Sequence, residues 1–169
     1  VLRAMGLGEG MVAVDLCCGD GYFTAPLARI VQRPVYGIDL DPRLLERART
    51  EVERARISLC VFIQGDAREL AELLPEQVDY VFLANTFHGV ESKTDMARDV
   101  GTVLRPGGSF GIVNWHRRPR EETDILGKPR GPRTGLRLTP EDTRTAVEMA
   151  GFRLERLVEL PPYHYGAVF

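Results

Sequence analysis

The sequence predicts a doubly wound α/β domain: a mostly parallel, seven-stranded sheet with an antiparallel last strand and helices on both faces. Three observations predict it. Apolar runs of strand length alternate with helix-period segments, the pattern of βαβ units whose sheet is covered on both faces. Acidic or polar residues close successive apolar runs, which puts them at the edge where open parallel sheets take ligands. Finally, two strand-like runs end the chain with only Pro161-Pro162 between them, a link too short to cross over, so those two strands pair antiparallel.

Met11 to Leu16 is the first buried strand, and Tyr22 to Gln32 the first helix, with Phe23, Leu27, Ile30 and Val31 on one face. Val35 to Asp39 is the second strand. Asp41 then caps a helix that has Pro42 in its first turn and runs to about Arg56. Leu59 to Gln64 is the third strand, Arg68 to Leu74 a short helix, and Val78 to Ala84 the fourth strand. A helix from Lys93 to Leu104 is stopped by Arg105-Pro106-Gly107-Gly108, and Ser109 to Trp115 is the fifth strand. The 23 residues from His116 to Leu138, rich in Pro, Gly and Arg, read as a long loop. Thr139 caps a last helix ending at Gly151, and Phe152 to Leu160 and Tyr163 to Phe169 are the closing strands. Val1 to Met5 reads as the last turn of a helix already under way, which points to a missing or very short segment ahead of a single domain over 1–169.

Composition narrows the function classes. A chain of 169 residues is long enough to bury a core, and its net charge of −2 does not suit a protein built to coat nucleic acid or an anionic membrane. Three cysteines, two of them the adjacent Cys17 and Cys18, have neither metal-ligand spacing nor the look of a disulfide framework. No apolar stretch approaches the roughly 20 residues of a membrane span. A reduced, cytoplasmic protein without a metal is the expectation.

The chemistry-bearing residues gather at strand ends. In Val14-Asp15-Leu16-Cys17-Cys18-Gly19-Asp20-Gly21, the glycines let the backbone turn and approach a ligand, and the helix that follows presents N–H groups suited to a carboxylate or phosphate. Asp39 ends the second strand, 18 residues beyond Gly21, where a carboxylate accepts hydrogen bonds from ribose hydroxyls. Asp66 follows the third strand as a second acceptor, placed to receive a proton from an adenine amino group, and Asn85 ends the fourth. Each has a plainer reading beside this one: Asp15 as a brace for the loop, Asp66 as a helix cap.

Taken together, these segments resemble the motifs of class I S-adenosylmethionine-dependent methyltransferases. Val14 to Gly21 is similar to their first motif, with a Cys-Cys variant like that of the ubiquinone and menaquinone biosynthesis methyltransferases. Tyr36-Gly37-Ile38-Asp39, Gln64-Gly65-Asp66-Ala67, Val78 through His88, Leu104 to Gly108, and the tail from Leu138 resemble the later motifs in order. The resemblance implies a Rossmann-like fold and S-adenosyl-L-methionine as cofactor, with S-adenosyl-L-homocysteine as product. It also implies that Cys17, Gly19 and Gly21 cradle the methionine part, that Asp39 holds the ribose, and that Asp66 and the Ala67 amide read the adenine. Ala84 and Asn85 would lie near the sulfonium, and Asp15 and Leu40 complete the expected cofactor set. Cys17 departs from the family's first glycine.

Methyl transfer from a sulfonium is an in-line displacement, which asks the protein to align the reactants, exclude water and, for some nucleophiles, take a proton. His88, just past the fourth strand, is the candidate base, against a plainer capping or surface role. Trp115 and His116 leave the fifth strand beside it and are expected in the same substrate pocket; core packing is the plainer reading of Trp115. Arginines 117, 118, 120, 130, 133 and 137 with Lys128 outnumber the acids of the long loop; they read as a solvated loop or as a clamp for an anionic substrate. The loop lacks interleaved aromatics for stacking on RNA, so the expected partner is a small-molecule methyl acceptor and not nucleic acid. Two rivals stay in view: a nicotinamide-dependent oxidoreductase, although no Gly-x-Gly-x-x-Gly is completed, and a non-catalytic protein that binds the cofactor or its product.

Overall fold

The structure is a computed structural model describing residues 1–169. In chain order its elements are β1 (Ala13–Leu16), α1 (Thr24–Val31), β2 (Val35–Asp39), α2 (Pro42–Arg54), β3 (Cys60–Gln64), α3 (Leu70–Leu73) and β4 (Val78–Ala84). There follow α4 (Lys93–Val103), β5 (Leu104–Trp115), β6 (Asp124–Ile125), β7 (Lys128–Pro129), α5 (Pro140–Glu148), β8 (Arg156–Leu160) and β9 (His164–Val168). The main sheet has seven strands in the order β3-β2-β1-β4-β5-β9-β8. β1 to β5 pair parallel, and β9 lies antiparallel between β5 and β8. This is the doubly wound, Rossmann-like sheet the sequence predicts. Its order reverses between β1 and β4, the place where such sheets open a crevice at their carboxyl edge.

Side-chain alternation sends each strand's apolar residues to two cores. Ala13, Val35, Phe82 and Val113 pack with Leu27, Ala28 and Val31 of α1. Val14, Ile38, Val81, Leu83 and Ile112 pack with Met96, Ala97 and Val100 of α4. The first residues form a turn, closed by the Met5 N–H donating to the Val1 carbonyl at 3.1 Å, and Met5 is wholly buried, its carbonyl accepting from the Tyr80 hydroxyl at 2.6 Å.

Local chemistry explains most boundaries. Asp41 accepts the Arg43 N–H at 2.8 Å and starts α2, while Thr139 and Asp142 form a reciprocal capping box on α5. Four expectations need correction, the simplest being that the strand expected from Phe152 begins at Arg156. The first helix begins at Thr24 instead of Tyr22, because Gly21 at φ +81° is still in the turn and Phe23 supplies no capping oxygen. β5 begins at Leu104, not Ser109: Leu104 pairs with Val78, a register shift follows, and Gly107 at φ +80° lets the strand absorb it. The segment 116–138 is no plain loop, since it carries the β6–β7 hairpin, two short 3₁₀ turns and a buried arginine, Arg137.

Candidate functional site

Above the carboxyl edge of β1, β2, β3 and β4 lies a cleft of about 1040 Å³, at the upper end of small-molecule sites. Its wall takes in Cys17 and Gly19 after β1, Asp39 and Leu40 at the end of β2, Asp66 and Ala67 after β3, and Asn85 and His88 after β4. Eight of the residues singled out from the sequence therefore share one cavity. Asp15, Gly21, Ala84, Trp115 and His116 do not line it.

The turn after β1 is tied to the tip of β2. The Cys18 N–H donates to the Ile38 carbonyl at 2.9 Å, and the Gly19 N–H donates to Asp39 Oδ2 at 2.8 Å. Asp39 Oδ1 accepts the Asp41 N–H at 3.0 Å. Asp39 thus holds the glycine turn in shape, and because a carboxylate has about four lone-pair sites, two remain for a ligand diol. Cys17, Gly19 and Asn85 all sit in the left-handed region, at φ +54°, +56° and +57°. Asn and Gly tolerate that conformation, whereas Cys17 holds it against a steric cost.

Asp15 lies beneath the turn, 2% exposed, and accepts a 2.6 Å hydrogen bond from the Thr24 hydroxyl. Burial pushes its carboxyl up to about 7, the Thr24 bond working against this and the charge of Asp39 adding to it. Gly21 serves packing: a Cβ there would lie 2.8 Å from the Ala48 Cβ and 3.0 Å from the Ala48 Cα of α2. Burial also pushes the Cys17 thiol up to about 12, with Asp39, Asp15 and Asp66 adding to it, so it is a neutral packing group and no nucleophile.

Asp66 caps the 3₁₀ turn that precedes α3, accepting the Arg68 N–H at 3.0 Å, and it also takes a two-pronged contact from the Arg68 guanidinium at 3.0 and 2.6 Å. These bonds from Arg68 hold its carboxyl down at about 2. Arg68 was not foreseen, and its signal, a basic residue two positions beyond the acid, is too common in sequences to single out.

His88 stands in the 3₁₀ turn after β4, half-buried on the cleft wall. Burial, then Lys93 and Arg137, lower its pKa below the ordinary imidazole value, so the ring is neutral near pH 7. Trp115 is packed away from the cleft, between the Tyr163 ring at 6.1 Å, the His164 ring at 4.1 Å and the Arg137 guanidinium at 5.3 Å. His116 turns to the outer edge, where its Nε2 meets Glu159 at 3.0 Å. The three cysteines are free, and no cluster of His, Cys, Asp or Glu has the makings of a metal site.

Comparison with known proteins shows the family to which this chain belongs. Residues 13–108, more than half of the chain, match the family model described as a methyltransferase domain. The chain belongs to that family. Among its relatives, the methyltransferase domain is 32% identical over 110 residues to the demethylmenaquinone methyltransferase of Staphylococcus aureus, covering 64% of this chain and 44% of that protein. It is 27% identical over 175 residues to the sterol 24-C-methyltransferase of Aspergillus fumigatus, covering 95% of this chain and 46% of the other. The chain therefore spans less than half the length of these curated relatives. Among solved structures, a SAM-dependent methyltransferase of Aquifex aeolicus superposes with a TM-score of 0.84 at 23% identity, over 99% of this chain and 85% of that one.

S-adenosylmethionine is the cofactor of this class of methyltransferase, and the cleft suits it. The volume is ample, the Gly19 turn brings backbone to the wall, and two carboxylates at adjacent strand tips offer acceptors for a diol and an amine. No helix of the chain is long and apolar enough to cross a membrane.

Proposed function

We propose that this domain binds S-adenosylmethionine in the cleft and methylates a small organic acceptor there. The observation that carries the proposal is the convergence of Gly19, Asp39, Asp66 and His88, from the ends of β1 to β4, on one cavity. Gly19 and Cys17 would cradle the amino-acid part, Asp39 the ribose hydroxyls, and Asp66 with the Ala67 amide the adenine edge. Asp66 reaches an amine either beside its Arg68 contact or in place of it, since Arg68 is highly exposed and the pair is screened by water. When bound, the sulfonium supplies an electrophilic methyl group and a neutral leaving group. The chain supplies alignment through the strand-tip contacts and partial exclusion of water by the cleft wall.

His88 is the proposed proton acceptor. Its neutral ring takes a proton from an acceptor hydroxyl or amine without first losing one, so the acid limb of the pH–rate profile falls below about pH 6.5, the unperturbed imidazole value. His88→Gln removes that limb and lowers kcat by about two orders of magnitude for an acceptor that must lose a proton. An unchanged acid limb in His88→Gln would withdraw the role.

Calorimetric titration with S-adenosylhomocysteine tests the cofactor site. Wild type gives saturable binding, and Asp39→Ala weakens it at least tenfold, since about 1.4 kcal/mol is tenfold and a charged hydrogen bond exceeds that. Saturable NADH binding with none of S-adenosylhomocysteine would sink the reading. Methyl transfer to a panel of small acceptors separates an enzyme from a protein that only binds the cofactor.

A further inference from the structure

Four buried side-chain polar atoms in the molecule lack a hydrogen-bond partner: His88 Nδ1, Asn114 Oδ1, Arg137 Nη1 and His164 Nε2. All four lie at one end of the sheet. His88 follows β4, Asn114 is the penultimate residue of β5, and His164 opens β9 opposite Trp115, the last residue of β5. The Arg137 guanidinium lies over that Trp115 ring. His88 and Asn114 lie close enough to interact with each other, and Asn114 also neighbours Tyr165, which leaves Arg137 Nη1 and His164 Nε2 as the buried groups that no side chain of the molecule satisfies.

Arg137 is the least expected of the four. It is 2% exposed, the largest of the fully buried side chains. Its Nε donates to the Pro132 carbonyl at 3.1 Å, and Nη2 donates to the Thr123 hydroxyl and the Arg130 carbonyl, both at 2.9 Å. These neutral acceptors fix the plane of the guanidinium without neutralising it. No ion pair of the molecule includes Arg137. The nearby charges oppose one another, Glu121 favouring the cation and Arg120 disfavouring it, and neither forms an ion pair with it. A buried cation without a contacting carboxylate is costly, and the cost is offset when an anion joins it. The spare donors are those of Nη1.

We infer that Arg137 Nη1, beside His164 and Trp115, receives an anionic oxygen of the methyl acceptor, so that the acceptor is an organic anion carrying a carboxylate or a phosphate ester. The inference rests on the methyltransferase reading and names the acceptor class within it. The site lies one strand away from the cleft: His88 on the cleft wall follows β4, Asn85 before it donates its N–H to the Val113 carbonyl of the neighbouring β5 at 2.8 Å, and Trp115 at the end of β5 carries Arg137 over its ring. Thr123, Arg130 and Pro132 wrap the guanidinium, and Gly131 lies against the Trp115 indole, where a Cβ would come within 2.7 Å of the ring. An arriving anion therefore displaces part of segment 116–138.

Trp115 is the only tryptophan of the chain, so its fluorescence reports on this place. The test titrates the S-adenosylhomocysteine-loaded protein with benzoate, with its neutral isostere benzamide, with phenyl phosphate and with inorganic phosphate. Benzoate or phenyl phosphate is expected to change Trp115 fluorescence saturably and to shift the His88 and His164 ring resonances, with benzamide at least about tenfold weaker. The stronger of the two organic anions tells carboxylate from phosphate ester, and inorganic phosphate shows how much the charge contributes alone. Arg137→Gln is expected to abolish the preference for the anion while S-adenosylhomocysteine still binds, and Arg137→Lys to keep part of it. Equal affinity for benzoate and benzamide in wild type would overturn the inference, and so would a preference that survives in folded, cofactor-binding Arg137→Gln. If Arg137→Gln does not fold, the two histidine resonances in wild type decide, since an anion bound elsewhere leaves both unmoved. Because the titration also runs without S-adenosylhomocysteine, failure of the cofactor reading shows in calorimetry while the anion arm stays readable.

Discussion

Cys17 occupies a place where the backbone asks for glycine. At φ +54° an L-residue bears a cost of about 1 kcal/mol, while its half-buried thiol returns some packing against the core of β1. Cys17→Gly is therefore expected to change stability by less than about 1 kcal/mol and to keep affinity for S-adenosylhomocysteine. Cys17→Val places a β-branched residue in the same conformation and is expected to lose about 2 kcal/mol or more in urea denaturation. Asp15, one step deeper, makes a pH-dependent contribution. Its folded-state value of about 7 lies above that of an unfolded aspartate, near 4, so between those values the folded chain holds a proton the unfolded chain has released. Stability from this group is complete below about pH 4 and is lost as the pH rises towards 7. Asp15→Asn, which keeps an acceptor for Thr24, is expected to be more stable than wild type at pH 8, with the difference vanishing near pH 4. Urea midpoints across that range check it; a constant offset would contradict the assignment.

Between elements, one contact sets how α2 lies against the turn before α1. Gly21 and Ala48 approach so closely that a methyl group at position 21 would overlap the Ala48 Cβ at 2.8 Å, and the φ of +81° adds strain. Gly21→Ala is expected to destabilise by about 2–4 kcal/mol, combining overpacking with backbone strain. Adding Ala48→Gly removes the Cβ from the clash and is expected to restore part of the loss, a coupling that a double-mutant cycle reads directly. Independent effects of the two substitutions would show that α2 shifts freely. The glycine of this turn nearest the cleft, Gly19, has open space around a notional Cβ, so its part is conformational. Two glycines of one motif thus do different work, one by its dihedral angle and one chiefly by its lack of bulk.

Across the whole molecule, both apolar cores share the same seven-stranded sheet, and every strand from β1 to β5 contributes to one or the other. Such a sheet has no natural plane of division, so we expect 1–169 to unfold as one cooperative domain. Far-UV circular dichroism and Trp115 fluorescence should give coincident urea transitions. An earlier fluorescence transition would mean that segment 116–138 detaches from the sheet first.

The order of the main-sheet strands and their helices, the antiparallel close and the strand-tip positions of Asp39, Asp66 and Asn85 were legible in the sequence, because periodicity and turn residues act over a few positions and leave a local trace, whereas the two-residue strands β6 and β7 are too short to leave one. The family motifs lie in those same turns, which is why the cofactor class was legible too. Tertiary structure alone decided that Asp39 binds the Gly19 amide, that Arg68 clasps Asp66, that Trp115 and His116 turn away from the cleft, and that one arginine out of a basic loop is buried without an ion-pair partner. Each of these depends on what distant segments place beside a side chain. Burial and pairing are properties of neighbours in space, and a chain read in one dimension does not name them.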